Sequence, residues 1–180
     1  MPTAFEAEAL RTEWPLEVCG FGLVAAGVGA MAAITHHRPE TIVLAGLAGT
    51  YDANRAPLGS VVIPAGVRCV GIGAGGRTAA ELGFAASDEL ALTGGDGLAV
   101  SVTEASGSPE QAADRLREHR DALIEEMEGY AVALAAMMTG ISCTMARGIS
   151  NQAGVRDRER WRVDAALAAV QRTLDSMAAR

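Results

Sequence analysis

The sequence has few of the features that mark secreted, membrane-bound or nucleic-acid-binding proteins. Only three of its 180 residues are cysteines, and their odd number, with two in apolar runs, argues against a disulfide framework and favours a reducing compartment. The formal net charge is -7, and no basic patch is available for nucleic-acid phosphates. No apolar run reaches the roughly 20 residues of a membrane span, and the first residues lack a signal-peptide pattern. We therefore expect a soluble, cytoplasmic protein.

Metal-ligand patterns are also missing. His36 and His37 are adjacent at a predicted helix end, His119 stands alone, and no cysteine or carboxylate spacing completes a site. The only basic cluster, residues 156–162, interleaves arginine with acidic residues and predicts a solvated helix face. We expect surface histidines, no metal and no cofactor.

Hydrophobic residues make up 49% of the chain and glycines number 21, which is typical of helices packed on a buried sheet. The length suits one domain, 1–180.

The run at 41–45 predicts a strand buried on both faces, ended by a glycine-rich turn at 46–50. Residues 71–77 predict a loop or hairpin, Asp157 caps a last helix, and Met137, Met138 and Trp161 belong to the core. The remaining strands are predicted at 16–21, 61–63, 98–103 and 141–149, and the helices at 22–35, 109–123, from 131, and up to about 177. Such alternation predicts an α/β fold, a mixed twisted sheet flanked by helices.

Two polar positions interrupt the apolar segments. Glu128 lies at the edge of the apolar run 131–138, where its carboxylate needs donors to offset desolvation, and a sugar diol can supply two. Asn151 follows the strand at 141–149, and ligand crevices lie outside the carboxyl ends of parallel strands. An acid that grips a diol and an amide that reads a base edge can therefore meet in one crevice.

Two motifs surround these positions, Met127-Glu128-Gly129 and Arg147-Gly148-Ile149-Ser150-Asn151. Together with residues 2–6, 20–22, 45–50 and 58–62, in this order, they resemble segments of the nucleoside phosphorylase and nucleosidase superfamily, most closely its futalosine hydrolase branch. Members of the family begin with a strand that delivers the Pro-Thr turn to the site, whereas here Met1 directly precedes Pro2. We therefore expect a nucleosidase-like fold whose sheet lacks that first strand.

The resemblance implies that Glu6 is the catalytic acid/base. A glutamate at the matching place activates water for attack on the anomeric carbon and opposes the positive charge that develops there. The residues alone favour the alternative, an exposed glutamate beside Glu8 in an alanine-rich first helix. Arg147 is costly to bury unless paired, and Glu6 or Glu128 could pair with it. The resemblance implies that it helps to hold the water, and a purely structural ion pair is the alternative.

The same resemblance implies a binding surface for the nucleoside. Glu128 accepts hydrogen bonds from the ribose 2' and 3' hydroxyls above an apolar floor supplied by Met127, although a helix-terminal glutamate stabilised by the dipole would look alike. Leu47, Ala48 and Gly49 would bring backbone close to the base, because glycine removes the Cβ obstacle.

Asn151 bears on the substrate class. Its amide donates and accepts, which suits a 6-oxopurine such as hypoxanthine, whereas an aspartate suits a 6-aminopurine better. The alternative is an asparagine that supports a turn at the strand exit. Residues 2–6 and 49–51 contain no arginine of the kind that phosphorylases place on phosphate, so water is favoured as the nucleophile.

These inferences predict hydrolysis of the N-glycosidic bond of futalosine, in menaquinone biosynthesis, by a homo-oligomer without nucleic-acid or membrane partners. Arg156 and Arg158 are candidates to meet the aromatic carboxylate of that substrate, and residues 102–107 would cover the base. Two alternatives stay open: another purine nucleosidase, of the inosine or methylthioadenosine type, and a catalytically silent nucleoside-binding relative.

Overall fold

A computed structural model describes residues 1–85 and 87–179 and contains a seven-stranded mixed sheet flanked by helices. The helices are α1 (Ala4–Ala9), α2 (Gly22–His37), α3 (Pro109–Glu118), α4 (Gly129–Thr139) and α5 (Val163–Ala178). The strands are β1 (Thr41–Thr50), β2 (Val61–Val62), β3 (Gly66–Val70), β4 (Gly73–Ala74), β5 (Arg77–Thr78), β6 (Glu89–Ala91), β7 (Leu98–Val102), β8 (Ala122–Glu126) and β9 (Ser142–Gln152). The mixed α/β architecture predicted from the sequence is confirmed, and β4 and β5 form the predicted hairpin.

The order of strands in the sheet is β2-β9-β1-β8-β7-β3-β6. β1 runs parallel to β9 along its whole length, and β8 runs parallel to β7. β1 meets β8 only at its end, in the antiparallel pairs Gly49↔Glu125 and Thr50↔Ile124. The ends of β1, β8 and β9 therefore lie side by side.

Alternating residues of β1 face two different helical layers, as a strand buried on both faces requires. Leu44 and Ala48 pack with α2 and α4, whereas Ala45 packs with Val170 and Leu174 of α5. Small residues bring the helices close. A Cβ on Gly148 of β9 would lie 2.7 Å from the Ala166 carbonyl oxygen of α5, so glycine is needed at that crossing.

Three predicted elements differ from the structure because pairing with distant strands outweighs local pattern. Residues 46–50 are no turn: β1 continues to Thr50, with a bulge after Ala48 that keeps it paired with β9. The helix predicted at 109–123 ends at Glu118, and β8 follows from Ala122, buried between β1 and β7. Residues 16–21 form no strand. The segment pairs with Met1 instead: the Cys19 N–H donates to the Met1 carbonyl at 2.8 Å, and the Met1 amino group donates to the Glu17 carbonyl at 2.7 Å.

Further corrections concern the chain's surface. Met137 and Met138 are 55% and 70% exposed, so the prediction that they belong to the core is wrong, and Trp161 is only half-buried. Met137 and Met138 lie on the solvent side of α4, whose buried side is made mainly of alanine and valine. Asp157 caps a short 3-10 turn, Arg158–Arg160, and α5 begins only at Val163.

The cysteines form no disulfide: Cys69 and Cys143 are buried and Cys19 is half-buried. Burial raises the pKa of the Cys143 thiol to about 12 and that of Cys69 to about 11, so both stay protonated at neutral pH. His36 and His37 are exposed, as predicted, whereas His119 is half-buried. Among the described helices, none combines the length and apolarity needed to cross a bilayer.

Candidate active site

A cavity of about 790 Å³ opens where β1, β8 and β9 end. The predicted site residues Glu6, Glu128 and Asn151 line it, as do Leu47, Ala48, Gly49 and Met127. The fold thus brings together Glu6 and Asn151, which are 145 positions apart in the sequence. Glu125, Glu126, Phe5 and Phe21 also line the cavity, and sequence reasoning did not single them out.

Glu6 is held by a capping box at the start of α1. The Thr3 hydroxyl accepts from the Glu6 N–H, while Glu6 Oε2 accepts from the Thr3 N–H at 3.0 Å and the Thr3 hydroxyl at 2.7 Å. The other oxygen, Oε1, accepts from the Leu47 N–H of β1 at 2.9 Å. Only 6% of Glu6 is exposed, so the alternative of a solvated surface glutamate is wrong.

Gly46 lets two charged side chains approach β1. A Cβ at this position would lie 2.5 Å from Arg147 Nη1 and 2.8 Å from Glu6 Oε1. These distances are below any real Cβ contact, so a side chain here would displace one of the two groups. Gly46 is therefore needed for packing beside the site, and it lies inside a strand rather than in a turn.

Arg147 is a fully buried cation between two glutamates. Its Nη2 donates to Glu126 Oε2 and, at 3.0 Å, to Glu128 Oε2. Burial opposes its charge, but the attraction of Glu126, Glu128 and Glu6 outweighs burial and raises the pKa of Arg147 above its ordinary value. The arginine is therefore a permanent positive charge.

The pairing of Arg147 differs in part from the prediction. Glu128 is a partner, as expected, whereas Glu6 makes no ion pair with it among the described residues, and Glu126 was missed. Arg147 Nε and Nη1 are buried and find no hydrogen-bond partner in the described part of the chain. Arg147 Nη1 and Glu6 Oε1 both lie against Gly46, within 3 Å of the position that a Cβ would take there.

Glu126, and not Glu128, is the acid that binds the first N–H groups of α4, the role that the sequence left open for Glu128. Glu126 Oε2 accepts from the N–H groups of Glu128 and Gly129 at 3.0 and 2.6 Å, at the start of α4, and Oε1 accepts from the Ser101 hydroxyl. The carboxylate of Glu126 thus fixes the helix start and Arg147 together. A pattern of buried acids at a strand end could have pointed to it, but residues 122–123 read as helix.

Glu128 is thereby left to face the cavity. Its Oε1 accepts from the Gly22 N–H at 3.1 Å, and its Oε2 accepts from Arg147. Burial raises the pKa of Glu128, and Arg147 opposes that shift. The side chain is 4% exposed and stands at the N-terminal end of α4 without capping it.

Asn151 lies inside β9, opposite Gly49, and is not a turn residue. Its Nδ2 donates to the Gln152 carbonyl at 2.9 Å, and its Oδ1 accepts from the Ser150 hydroxyl at 2.8 Å. The Gln152 carbonyl ends β9 and also accepts from the Val155 N–H at 3.0 Å, so the Asn151 amide supports the turn at the strand exit, as the structural alternative requires. Each end of the amide keeps capacity for one more hydrogen bond.

The basic cluster forms part of the cavity mouth. Arg156, Arg158 and Arg162 line it with Trp161, on a loop and the 3-10 turn instead of the predicted helix face. The Arg156 guanidinium lies 5.3 Å from the centre of the Trp161 ring, whose Nε1 donates to the Val155 carbonyl at 2.9 Å. Of the segment 102–107, Ala105 reaches the cavity wall. No set of three histidine, cysteine or acidic side chains in the described ranges could hold a metal.

Two futalosine hydrolases are similar to this chain in sequence. A futalosine hydrolase of Streptomyces coelicolor is 31% identical over 186 residues, covering 88% of this chain and 79% of the relative. A futalosine hydrolase of Thermus thermophilus is 32% identical over 208 residues, covering 96% and 91%.

Solved structures share the fold. The futalosine hydrolase of Helicobacter pylori aligns with a TM-score of 0.74 at 16% identity, over 90% of this chain and 77% of that one. The 5'-methylthioadenosine/S-adenosylhomocysteine nucleosidase of the same organism aligns with a TM-score of 0.77 at 17% identity, over 90% and 78%. The family model described as phosphorylase superfamily matches residues 12–180. With that match, and with relatives above 30% identity over most of its length, this chain belongs to the phosphorylase superfamily.

Proposed function

We propose that this protein hydrolyses the N-glycosidic bond of futalosine, releasing hypoxanthine and dehypoxanthine futalosine, as a cytoplasmic enzyme of menaquinone biosynthesis. The names of its relatives support the reaction. The observation that carries it is the convergence of Glu6, Glu128 and Asn151 on one cavity beside the buried Arg147. The cavity volume of about 790 Å³ suits a nucleoside.

Glu6 acts on the attacking water in this proposal. Its carboxylate is fixed by Thr3 and Leu47, so it can accept a proton from water while its charge stabilises the oxocarbenium-like transition state. The unpaired Arg147 Nη1 on the same side of Gly46 supports a second contact to that water. Glycosidic cleavage leaves the bonding electrons on the base, and the water oxygen forms the new bond to the anomeric carbon.

Glu128 and Met127 bind the sugar. The carboxylate of Glu128 accepts from both ribose hydroxyls, because each of its oxygens has capacity beyond its present partner. Leu47, Ala48 and Gly49 present backbone to the base as part of β1. Arg156, Arg158 and Arg162 line the mouth of the cavity. Of these, Arg156 and Arg158 bind the carboxylate of the substrate.

Asn151 reads the base in this assignment. Its free N–H can donate to N7 or O6 of hypoxanthine, and a proton for the departing base comes from water or another group, since an amide does not release one at neutral pH. Turnover of futalosine, inosine and methylthioadenosine, measured by chromatography of the released base, tests the substrate. Preference for inosine or methylthioadenosine would favour the nucleosidase alternative, and binding without turnover would favour the silent relative.

Replacing Asn151 with aspartate tests the role of the amide. We expect Asn151→Asp to shift preference from 6-oxo- towards 6-aminopurine nucleosides, because an ionised carboxylate accepts from the exocyclic amine and repels O6. The ratio of kcat/KM for inosine and adenosine is measured in wild type and variant. A ratio that does not move would show that Asn151 does not read the base.

The raised pKa of Glu128 predicts a pH effect on binding. Because the diol needs the ionised carboxylate, kcat/KM should fall as the pH drops through the raised pKa, at a pH above the ordinary value of 4.5. The acid limb of kcat/KM against pH is measured for wild type and Glu128→Gln. An acid limb below pH 4.5, or the same limb in the variant, would contradict this role.

We propose that the protein is a homo-oligomer that buries an apolar face beside the cavity. Phe21, Val24, Val28 and Met138 are 65%, 83%, 69% and 70% exposed, and Phe21 also lines the cavity. Val24 and Val28 lie four residues apart on α2, with Phe21 at its start, so these three exposed apolar side chains share one side of the helix and mark a contact surface. We expect Val24→Arg to yield a smaller species in light scattering coupled to gel filtration, and Glu118→Arg on exposed α3 to leave the mass unchanged. A monomeric wild type would overturn this proposal.

A further inference from the structure

A fourth buried carboxylate, Glu125, faces away from the Arg147 network. Successive side chains of a strand point to opposite faces, so Glu126 and Glu125 at the end of β8 serve different surroundings. Glu126 contacts Arg147 and the start of α4. Glu125 is 4% exposed, lines the cavity and has no part in the proposed chemistry.

Glu125 gathers donors from three other segments. Its Oε1 accepts from the Ser106 N–H at 2.9 Å. Its Oε2 accepts from the Ser106 hydroxyl at 2.7 Å, the Arg115 guanidinium at 2.7 Å and the Tyr51 hydroxyl at 2.8 Å. Burial, together with Glu125, raises the pKa of Tyr51, so this phenol remains a donor. We call Tyr51, Ser106, Arg115 and Glu125 the clasp.

The clasp ties down the segment that follows β7. Ser106 is fully buried, and Arg115 also donates to the Glu104 carbonyl at 3.2 Å, so the backbone is held on both sides of Ala105. Ala105 lines the cavity. The clasp also lies at the Gly49↔Glu125 pair, and Gly49 is the residue of β1 opposite Asn151. The wall held by the clasp is thus at the end of the cavity where Asn151 lies.

We infer that Glu125 is a positioning residue, which holds Ala105 and its neighbours as the wall of the base end of the cavity. Resting on the proposed function, this assigns Glu125 to substrate affinity, while Glu126 holds Arg147 and the start of α4. Removing the clasp loosens the wall against the base in ground state and transition state alike, which is uniform binding and raises KM without lowering kcat.

The test compares Glu125→Gln with wild type in kinetics and in hydrogen exchange of the Ser106 amide. Glutamine keeps the size but puts an NH2 against Arg115, which has no acceptor to offer. We expect KM for futalosine to rise about tenfold, or about 1.4 kcal/mol, with kcat within about twofold. Exchange at Ser106 should accelerate, because its N–H donates to this carboxylate.

Companion variants separate the clasp from a general loss of folding. Arg115→Met should reproduce the KM effect, and the double variant, which leaves no buried unpaired charge, should be no worse than either single one. Glu125→Asp should restore part of the affinity, and Arg117→Met, on an exposed part of the same helix, should behave as wild type. A fall in kcat at unchanged KM, or unchanged KM and exchange, would overturn the inference. A wild type inactive on futalosine would refute the substrate, and the exchange comparison would still decide whether Glu125 holds the segment.

Discussion

Replacing Glu6 with glutamine should abolish hydrolysis while hypoxanthine binding persists. The amide can still accept from the Leu47 N–H, so α1 stays docked on β1, but it can neither take a proton from water nor carry the charge that opposes the oxocarbenium ion. General base catalysis contributes about 10² to 10⁴ in rate, and loss of the charge adds to that. Initial rates with futalosine and calorimetric titration with hypoxanthine provide the two readouts.

Glu8→Gln is the matched control for this variant, because Glu8 is exposed on the same helix. It should keep wild-type turnover. Wild-type turnover in Glu6→Gln would remove Glu6 from the reaction. A parallel loss of hypoxanthine binding and of thermal stability would instead make the Glu6 contact to Leu47 a structural one.

Glu128→Gln should lower kcat/KM by orders of magnitude with the fold intact. A hydrogen bond to a charged group contributes about 1.5–3 kcal/mol, and about 1.36 kcal/mol corresponds to tenfold in rate. Two weakened bonds to the diol therefore imply a loss of roughly a hundredfold or more. Glu126 still pairs with Arg147 in this variant, so that cation is not left without a partner.

The 2'-deoxy form of the substrate provides an internal check on the Glu128 assignment. It lacks one of the two hydroxyls, so its kcat/KM should fall less than that of the ribonucleoside when Glu128 is replaced. Glu118→Gln, an exposed change on α3, should leave both substrates unaffected. An equal fall for both substrates, or no fall in kcat/KM, would exclude Glu128 from binding the 2' hydroxyl.

Two residues that line the candidate site, Glu128 and Asn151, stand out in the sequence pattern. Polar groups are costly to bury at the start of an apolar helix or the end of an apolar strand. The hydrophobic pattern around Glu128 and Asn151 shows this without a structure. The continuous apolar run of β1 likewise predicted a strand buried on both faces. Glu6 was different, since its local pattern is that of any exposed glutamate, and only the resemblance of residues 2–6 to a family motif singled it out.

Contacts between distant segments could not be predicted in the same way. The sequence by itself determined which polar groups stand at the ends of buried elements, because local hydrophobic pattern exposes them. The tertiary structure alone decided that residues 122–126 form a strand, that Glu126 is a partner of Arg147, and that Glu125 meets Ser106 and Arg115. Strand pairing and ion pairing depend on segments brought together only by folding, and those contacts, rather than local periodicity, fix the state of such residues.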